Sequence, residues 1–168
     1  MARAGNKILD SGDLFPKLQL RLTDGFEIET PKDLKHPWNV VLFYRGHWCP
    51  FCTSQLKSFQ GGLEKLMAED IGVLAASVDS LDKAKEIQKS TGATFPIAYG
   101  LQVKETAEAI GAFYDAAPTH TAPYIQSTGF VLAPNGKIVV SVYSSGAIGR
   151  LAWQDVLGLV QYMKSVSK

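Results

Sequence analysis

The sequence predicts an α/β fold, a central mixed β-sheet flanked by helices with a β-hairpin at its N-terminal side. Three observations predict it. "NVVLFY" (39–44) and "GVLAASV" (72–78) are continuous apolar runs, as strands buried on both faces require. Between them Leu56, Phe59, Leu63 and Leu66 step by 3, 4 and 3, which builds one apolar face of a helix. Hairpin signals near both ends add antiparallel strands to this βαβ core.

The elements follow in order. "LQLRLTDGFEIET" (18–30) alternates apolar and polar residues around Asp24-Gly25 and reads as a hairpin. The strand at 39–44 gives way at Pro50 to the helix just described. Gly61-Gly62 interrupts that helix at a cost of about 1 kcal/mol each relative to Ala, so a kink or a close packing contact is expected there. The strand at 72–78 then lies parallel to the first, through a right-handed crossover. "DSLDKAKEIQKSTG" (79–92) starts with cap residues and stops at Gly, a second helix. "FPIAY" (95–99) is a short strand, and 103–113 reads as a third helix. "GFVLAPNGKIVVSVY" (129–143) is two strands around Pro-Asn-Gly. From Arg150 onward, Trp153, Val156, Val160 and Met163 form the stripe of a closing helix.

A chain of 168 residues, 46% hydrophobic and 20% charged, is expected to form one domain over 1–168. A net charge of +1 without Lys or Arg runs gives no reason to expect nucleic acid or an anionic membrane as partner. "MARAGNKILDSGDLF" lacks the apolar core of a signal peptide, and no stretch has membrane-spanning length. The expected compartment is the cytoplasm, where thiols stay reduced.

The chemistry centres on "YRGHWCPFC" (44–52), which holds both cysteines, Cys49 and Cys52. Pro50 suits a first helical position, because its missing N–H would be unpaired there. Cys49 then falls at or near the N-cap and Cys52 one turn inside. The free N–H groups and dipole of a helix N-terminus favour an anion, so a thiolate is stabilised there. The Cys-x-x-Cys spacing lets one sulfur resolve a mixed disulfide or sulfenic acid formed on the other. Trp48 is expected to cover the pair and Arg45 to add positive charge. Two inert buried cysteines are the plainer alternative. A metal site needs further ligands, and His36, His47 and His120 show no zinc-type spacing, so neither a metal nor a cofactor is expected.

His47, two residues before Cys49, is placed to tune its proton, or else is a solvent-exposed loop residue. His120 sits in "AAPTHTAPYIQ" (116–126), a Pro-rich loop expected to shape the substrate entrance. His36, in "KHPW", carries no assigned role. Arg150, at the start of the last helix, is another cation that could approach the site, and it reads first as a solvated helix end.

"NVVLFYRGHWCPFCTSQLKSF" resembles the active-site segment of the thioredoxin-like superfamily, in particular the alkyl hydroperoxide reductase / thiol-specific antioxidant (peroxiredoxin-like) family. "GDLFPKLQLRLTDG", "SVDS", "FPIAYG" and "GFVLAPNGKIV" fall in that family's order along nearly the whole chain. The resemblance implies a thioredoxin-like, peroxiredoxin-type fold. It also implies a hydroperoxide or disulfide substrate, a thioredoxin- or glutathione-type reductant, no bound cofactor and a homodimer.

The motif departs from the family's Pro-x-x-x-Thr-x-x-Cys. Aligned to it, Cys52 takes the peroxidatic position, Cys49 replaces the Thr and Arg45 the Pro. The arginine that the family carries before the strand "GFVLA" is missing from "QSTG" (126–129). The thioredoxin cis-proline is missing as well, its place falling on Ser127 or Thr128. The Trp-Cys-x-x-Cys motif instead resembles thioredoxin, whose first Cys attacks. The helix-terminus argument favours Cys49, the position expected to be more exposed, as nucleophile and Cys52 as its resolving partner. The framework alignment favours Cys52. The activity expected is a thiol-dependent antioxidant oxidoreductase, with a thioredoxin-type disulfide reductase or a non-catalytic redox-sensing module as alternatives.

Overall fold

The computed structural model describes residues 7–168 and the backbone of a short N-terminal strand, β1 (Ala2–Arg3). The elements that follow are β2 (Gln19–Leu22), β3 (Glu27–Glu29), β4 (Trp38–Phe43), α1 (Pro50–Ala68), β5 (Ile71–Ala76), α2 (Leu81–Thr91) and β6 (Ile97–Tyr99). After them come α3 (Val103–Ile110), β7 (Phe113–Asp115), β8 (Tyr124–Ile125), β9 (Thr128–Leu132), β10 (Ile138–Tyr143) and α4 (Trp153–Val166).

Seven strands form the main sheet in the order β10-β9-β4-β5-β6-β2-β3. β4 pairs with β5 and β5 with β6 in parallel, while β9, β10, β2 and β3 run antiparallel to their neighbours. The expected mixed sheet is therefore present, with the βαβ unit at its centre. Both hairpins form where the turn residues place them. Gly25 and Gly136 take positive φ at the two turns, which an L side chain rarely adopts.

The period-2 geometry of the central strands sorts their side chains onto two faces. Val40, Leu42 and Tyr44 with Val73 and Ala75 face one buried cluster, which Leu56, Phe59, Leu66, Ile87, Val156 and Val160 close from the helix side. Val41, Phe43, Leu74 and Ala76 face the other, closed by Leu9, Phe15, Ala107 and Ile110. Burying each large apolar side chain this way stabilises the fold by about 1.5–3 kcal/mol. Phe130 centres the second cluster, its ring edge-on to Phe15, Phe43 and Tyr143 at 5.2, 6.2 and 5.8 Å.

At Gly61-Gly62 the outcome is a packing contact. α1 runs through both glycines, and a Cβ on Gly62 would lie 2.2 Å from the Trp153 ring. The missing side chain is what lets α4 lie close against α1.

Two features differ from the sequence reading. The helix expected over 103–113 ends at Ile110, because Gly111 turns left-handed and Phe113 begins a strand. That strand, β7, joins β1 and β8 in a small second sheet of order β1-β7-β8. Strands of two or three residues carry too little alternation to be read from sequence. Among the described residues no helix is long and apolar enough to cross a membrane.

Candidate functional site

β4 delivers the chain to the site. Its hydrogen bonding to β5 extends one residue past Phe43, with Tyr44 N–H donating to Ala76 O at 3.0 Å. The chain then turns sharply through Arg45–Trp48. A Cβ on Gly46 would lie 2.5 Å from Trp48 Nε1, so only glycine fits. The buried Asp79 carboxylate, just after β5, fastens this turn. It accepts from His47 N–H at 2.7 Å and lies 3.2 Å from His47 Nδ1.

Cys49 is the N-cap of α1 and Pro50 opens the helix, as the motif predicts. Cys49 Sγ accepts from the Cys52 N–H at 3.3 Å, in the manner of a capping side chain. Cys52 Sγ accepts from the Arg45 backbone N–H at 3.4 Å. Both cysteines are free and both are fully buried at 0% exposure, so Cys49 is not the more exposed sulfur expected from sequence. The correction has a physical reason. The cap position turns Sγ inward over the first turn of α1, into the cluster that also holds Tyr44, Leu56 and Phe59.

The two sulfurs differ electrostatically. The Cys52 thiol, the Cys52 N–H and the Arg150 and Arg45 charges outweigh burial and hold Cys49 down at about 6, well below an ordinary thiol. Burial first, then the hydrogen bond to Cys49, push Cys52 well above the ordinary range. Of the two sulfurs, Cys49 is the one its surroundings favour as the anion, with Cys52 favoured as the neutral thiol beside it.

Arg150 is the largest revision. It is not a solvated helix end. Its Nη2 lies 3.2 Å from Cys52 Sγ and 3.6 Å from Cys49 Sγ. Nε donates to Ala147 O at 3.0 Å and Nη1 to Gln55 Oε1 at 3.1 Å. Gln55, buried on α1, also donates to Leu151 O at 3.0 Å and so grips both sides of the arginine. Arg150 further lines a groove of about 290 Å³ that Phe51 and Ile148 flank.

The remaining expected residues fall in different places. Trp48 packs against the cysteine cluster and meets Tyr124 edge-on at 5.3 Å. The Arg45 guanidinium lies over both rings, 4.9 Å from Trp48 and 4.8 Å from Tyr124, while its backbone N–H reaches Cys52. Ser127 and Thr128 are buried at the start of β9, with Thr128 opposite Phe43. The Thr128 hydroxyl donates to Gln126 O rather than to sulfur. His120 is exposed in the loop before β8, and of that loop's neighbourhood it is Tyr124, at its end, that reaches the site through Trp48. The His36 ring packs over Gly72, apart from the cysteines. Among the described residues no group of three His, Cys, Asp or Glu side chains is arranged to hold a metal ion.

Sequence reasoning missed Gln55, Asp79, Tyr124 and the part played by Arg150. Gln55 had a signal, a polar residue three after Cys52 and next to Leu56 on the buried face of α1. Arg150 had none, since 98 residues separate it from Cys52.

The AhpC/TSA family model matches residues 11–141. A peroxiredoxin of Treponema denticola is 27% identical over 163 residues, 94% of this chain and 74% of the relative. A peroxiredoxin of Chlorobaculum tepidum is 31% identical over 145 residues, 83% of this chain and 65% of the relative. The chain thus spans about two thirds to three quarters of these relatives' length. A solved structure of Mycobacterium bovis AhpC superposes with a TM-score of 0.77 at 20% identity, covering 95% of each chain. That likeness shows the peroxiredoxin-type, thioredoxin-like fold.

Proposed function

Because this chain belongs to the AhpC/TSA family, we propose that it is a thiol-dependent peroxidase that reduces hydroperoxides through a dithiol/disulfide cycle of Cys49 and Cys52. One observation carries this reading: a low-pKa sulfur caps the helix, and the second sulfur stands one turn away as a protonated thiol. The Cys49 thiolate attacks one oxygen of the hydroperoxide. An S–O bond forms, the O–O bond breaks, and the leaving oxygen takes a proton and departs as an alcohol or water. The Cys52 sulfur then attacks the Cys49 sulfenic acid. The S–S bond forms and water leaves with the Cys52 proton. Two electrons from a thioredoxin- or glutathione-type thiol reductant return the pair to the dithiol. No bound cofactor takes part.

Trp48 and Arg45 shape the cover over the pair, and the His47–Asp79 contact fixes the turn that carries it. The proposed compartment is the cytoplasm, where thiols stay reduced, and the homodimer rests on the family resemblance alone. The same sulfur pair suits exchange with a disulfide, because a thiolate with an adjacent resolving thiol is what that reaction needs. Turnover separates the readings. The reduced protein is expected to consume hydrogen peroxide catalytically with a dithiol as reductant. Rapid reaction with a disulfide but none with peroxide would replace the peroxidase by a thioredoxin-type reductase.

A further inference from the structure

We propose that a slot at the pole of the sheet opposite the cysteines binds a short extended peptide segment of a partner protein, one that carries apolar side chains and a positive charge. The slot is independent of the thiol chemistry. It opens beside Asn39 and Gly72, near the starts of β4 and β5, whereas Cys49 follows the far end of β4. The six residues of β4, about 20 Å of strand, lie between the two. A gap in the sheet creates the slot. β6 enters late and pairs with β5 only at Ala75 and Ala76. The Ala75 N–H donates to Pro96 O at 3.1 Å, but Pro96 has no N–H to return toward Val73. The Thr94 N–H is drawn aside onto Gln60 of α1 at 2.8 Å, so the chain before β6 leaves the sheet there. Backbone groups of a strand point to alternate edges, which turns the Val73 N–H and C=O to the same side as those of Ala75. Among the described residues no strand stands opposite Val73. β6 separates β5 from β2, so the gap below it is one strand wide. An open edge of this kind is a template for another strand.

The walls of the gap are apolar. α1 contributes Leu63 and Met67, the segment before β6 contributes Phe95, and the β2–β3 hairpin and the loop after it contribute Phe26 and Leu34. Together they enclose about 780 Å³, a volume that accepts a ligand of a few residues. Phe26 at 71% exposure and Met67 at 48% leave two large apolar side chains open to solvent at this one cavity. The charge is one-sided. Asp24, Glu27 and Asp33 line the slot, and three carboxylates outnumber the single ammonium of Lys35 even with His36 counted beside it. Asp24 and Asp33 are held in place, accepting from the Phe26 N–H at 3.0 Å and the Glu29 N–H at 2.8 Å. A negative rim favours a cationic occupant. Open backbone groups, apolar walls and acidic rim therefore ask for one occupant: an extended chain that pairs with the Val73 edge, buries apolar side chains against Leu63, Met67 and Phe95, and brings Lys or Arg to the rim.

The test titrates the reduced full chain with acetylated, amidated tetrapeptides and follows the backbone amide signals by NMR. Lys-Val-Leu-Val is the cationic probe, Gln-Val-Leu-Val the neutral one and Glu-Val-Leu-Val the anionic one. A further cationic probe has its first Val and its Leu amides N-methylated, so that it keeps its charge and side chains and loses strand pairing. The cationic peptide is expected to bind saturably and to move the Val73 amide signal, while signals around Cys49 stay in place. The anionic peptide is expected to bind more weakly than the cationic one by roughly two- to fivefold, the size of an exposed charge contact. N-methylation is expected to weaken binding by up to roughly tenfold, the size of a lost hydrogen bond. Glu27→Lys, at an exposed position, is expected to narrow the preference for the cation. No saturable movement of Val73 overturns the proposal. So does equal affinity for the cationic and anionic peptides, or an N-methylated peptide that binds as well as its parent. A preference for the cation that survives Glu27→Lys undiminished overturns the role of the rim. Peroxide turnover does not enter these readouts, so the peroxidase reading and the peptide slot stand or fall separately.

Discussion

A thiolate at Cys49 makes the stability of the reduced protein depend on pH in a defined way. The folded chain holds Cys49 at about 6 against an ordinary value of 9.0. Between those values the unfolded chain keeps the thiol proton that the folded chain has lost. The unfolded state therefore binds more protons, and stability rises with pH in that window. The contribution is fully present above about 9 and is lost as pH falls through about 6. Integrating the linkage relation from pH 5 to pH 7.5 gives about 2 kcal/mol for this one group. Cys52 acts elsewhere. Its raised pKa favours the neutral thiol, so it costs stability only above the ordinary thiol range. The assay is urea unfolding under reducing conditions at pH 5, 6, 7 and 7.5, for the parent and for Cys49→Ser. Serine is a good N-cap, so the variant keeps the helix start and loses the charge. The parent-minus-variant stability is expected to grow by about 2 kcal/mol across that range. Parallel pH curves for the two proteins would refute a thiolate at Cys49.

Two further outcomes follow from the packing around the site. In Gly62→Ala the new Cβ meets the Trp153 ring at 2.2 Å. Overpacking of this kind costs about 1–3 kcal/mol and exceeds the helix-propensity gain of at most about 1 kcal/mol, so the thermal midpoint should fall. An unchanged or higher midpoint would mean that α4 is not seated on α1 as described. In Asp79→Ala the His47 N–H loses its acceptor, a loss of about 1–3 kcal/mol by urea unfolding, and the Trp48 emission should shift to the red as the turn loosens. Wild-type stability and emission in that variant would show that Asp79 does not hold the turn.

Much of the fold was legible because its signals are local and periodic. The two apolar runs became β4 and β5, the 3-4-3 stripes became α1 and α4, and Asp24-Gly25 and Asn135-Gly136 became turns. The second sheet escaped because β1, β7 and β8 have two or three residues each and exist through pairing between distant segments. The site divides along the same line. The helix-capping position of Cys49 is a local consequence of Pro50 and the strand before it, so the sequence shows it. The burial of both sulfurs and the approach of Arg150 depend on where the β10–α4 loop folds back, which no window of sequence contains. The family comparison pointed to an arginine missing near Ser127 and Thr128. The fold answers with a guanidinium from a different loop, while the Thr128 hydroxyl donates to Gln126 O and the Ser127 carbonyl accepts from the Ser144 N–H.

The central claim is that Cys49 attacks and Cys52 resolves. Stopped-flow mixing of the reduced protein with hydrogen peroxide, followed by the fluorescence of Trp48 against the pair, tests it most directly, with Cys49→Ser and Cys52→Ser run in parallel. The account predicts a rapid change for the parent, a rapid change in Cys52→Ser that stops at the sulfenic acid, and none in Cys49→Ser. Reaction in Cys49→Ser with an inert Cys52→Ser would contradict it and make Cys52 the nucleophile.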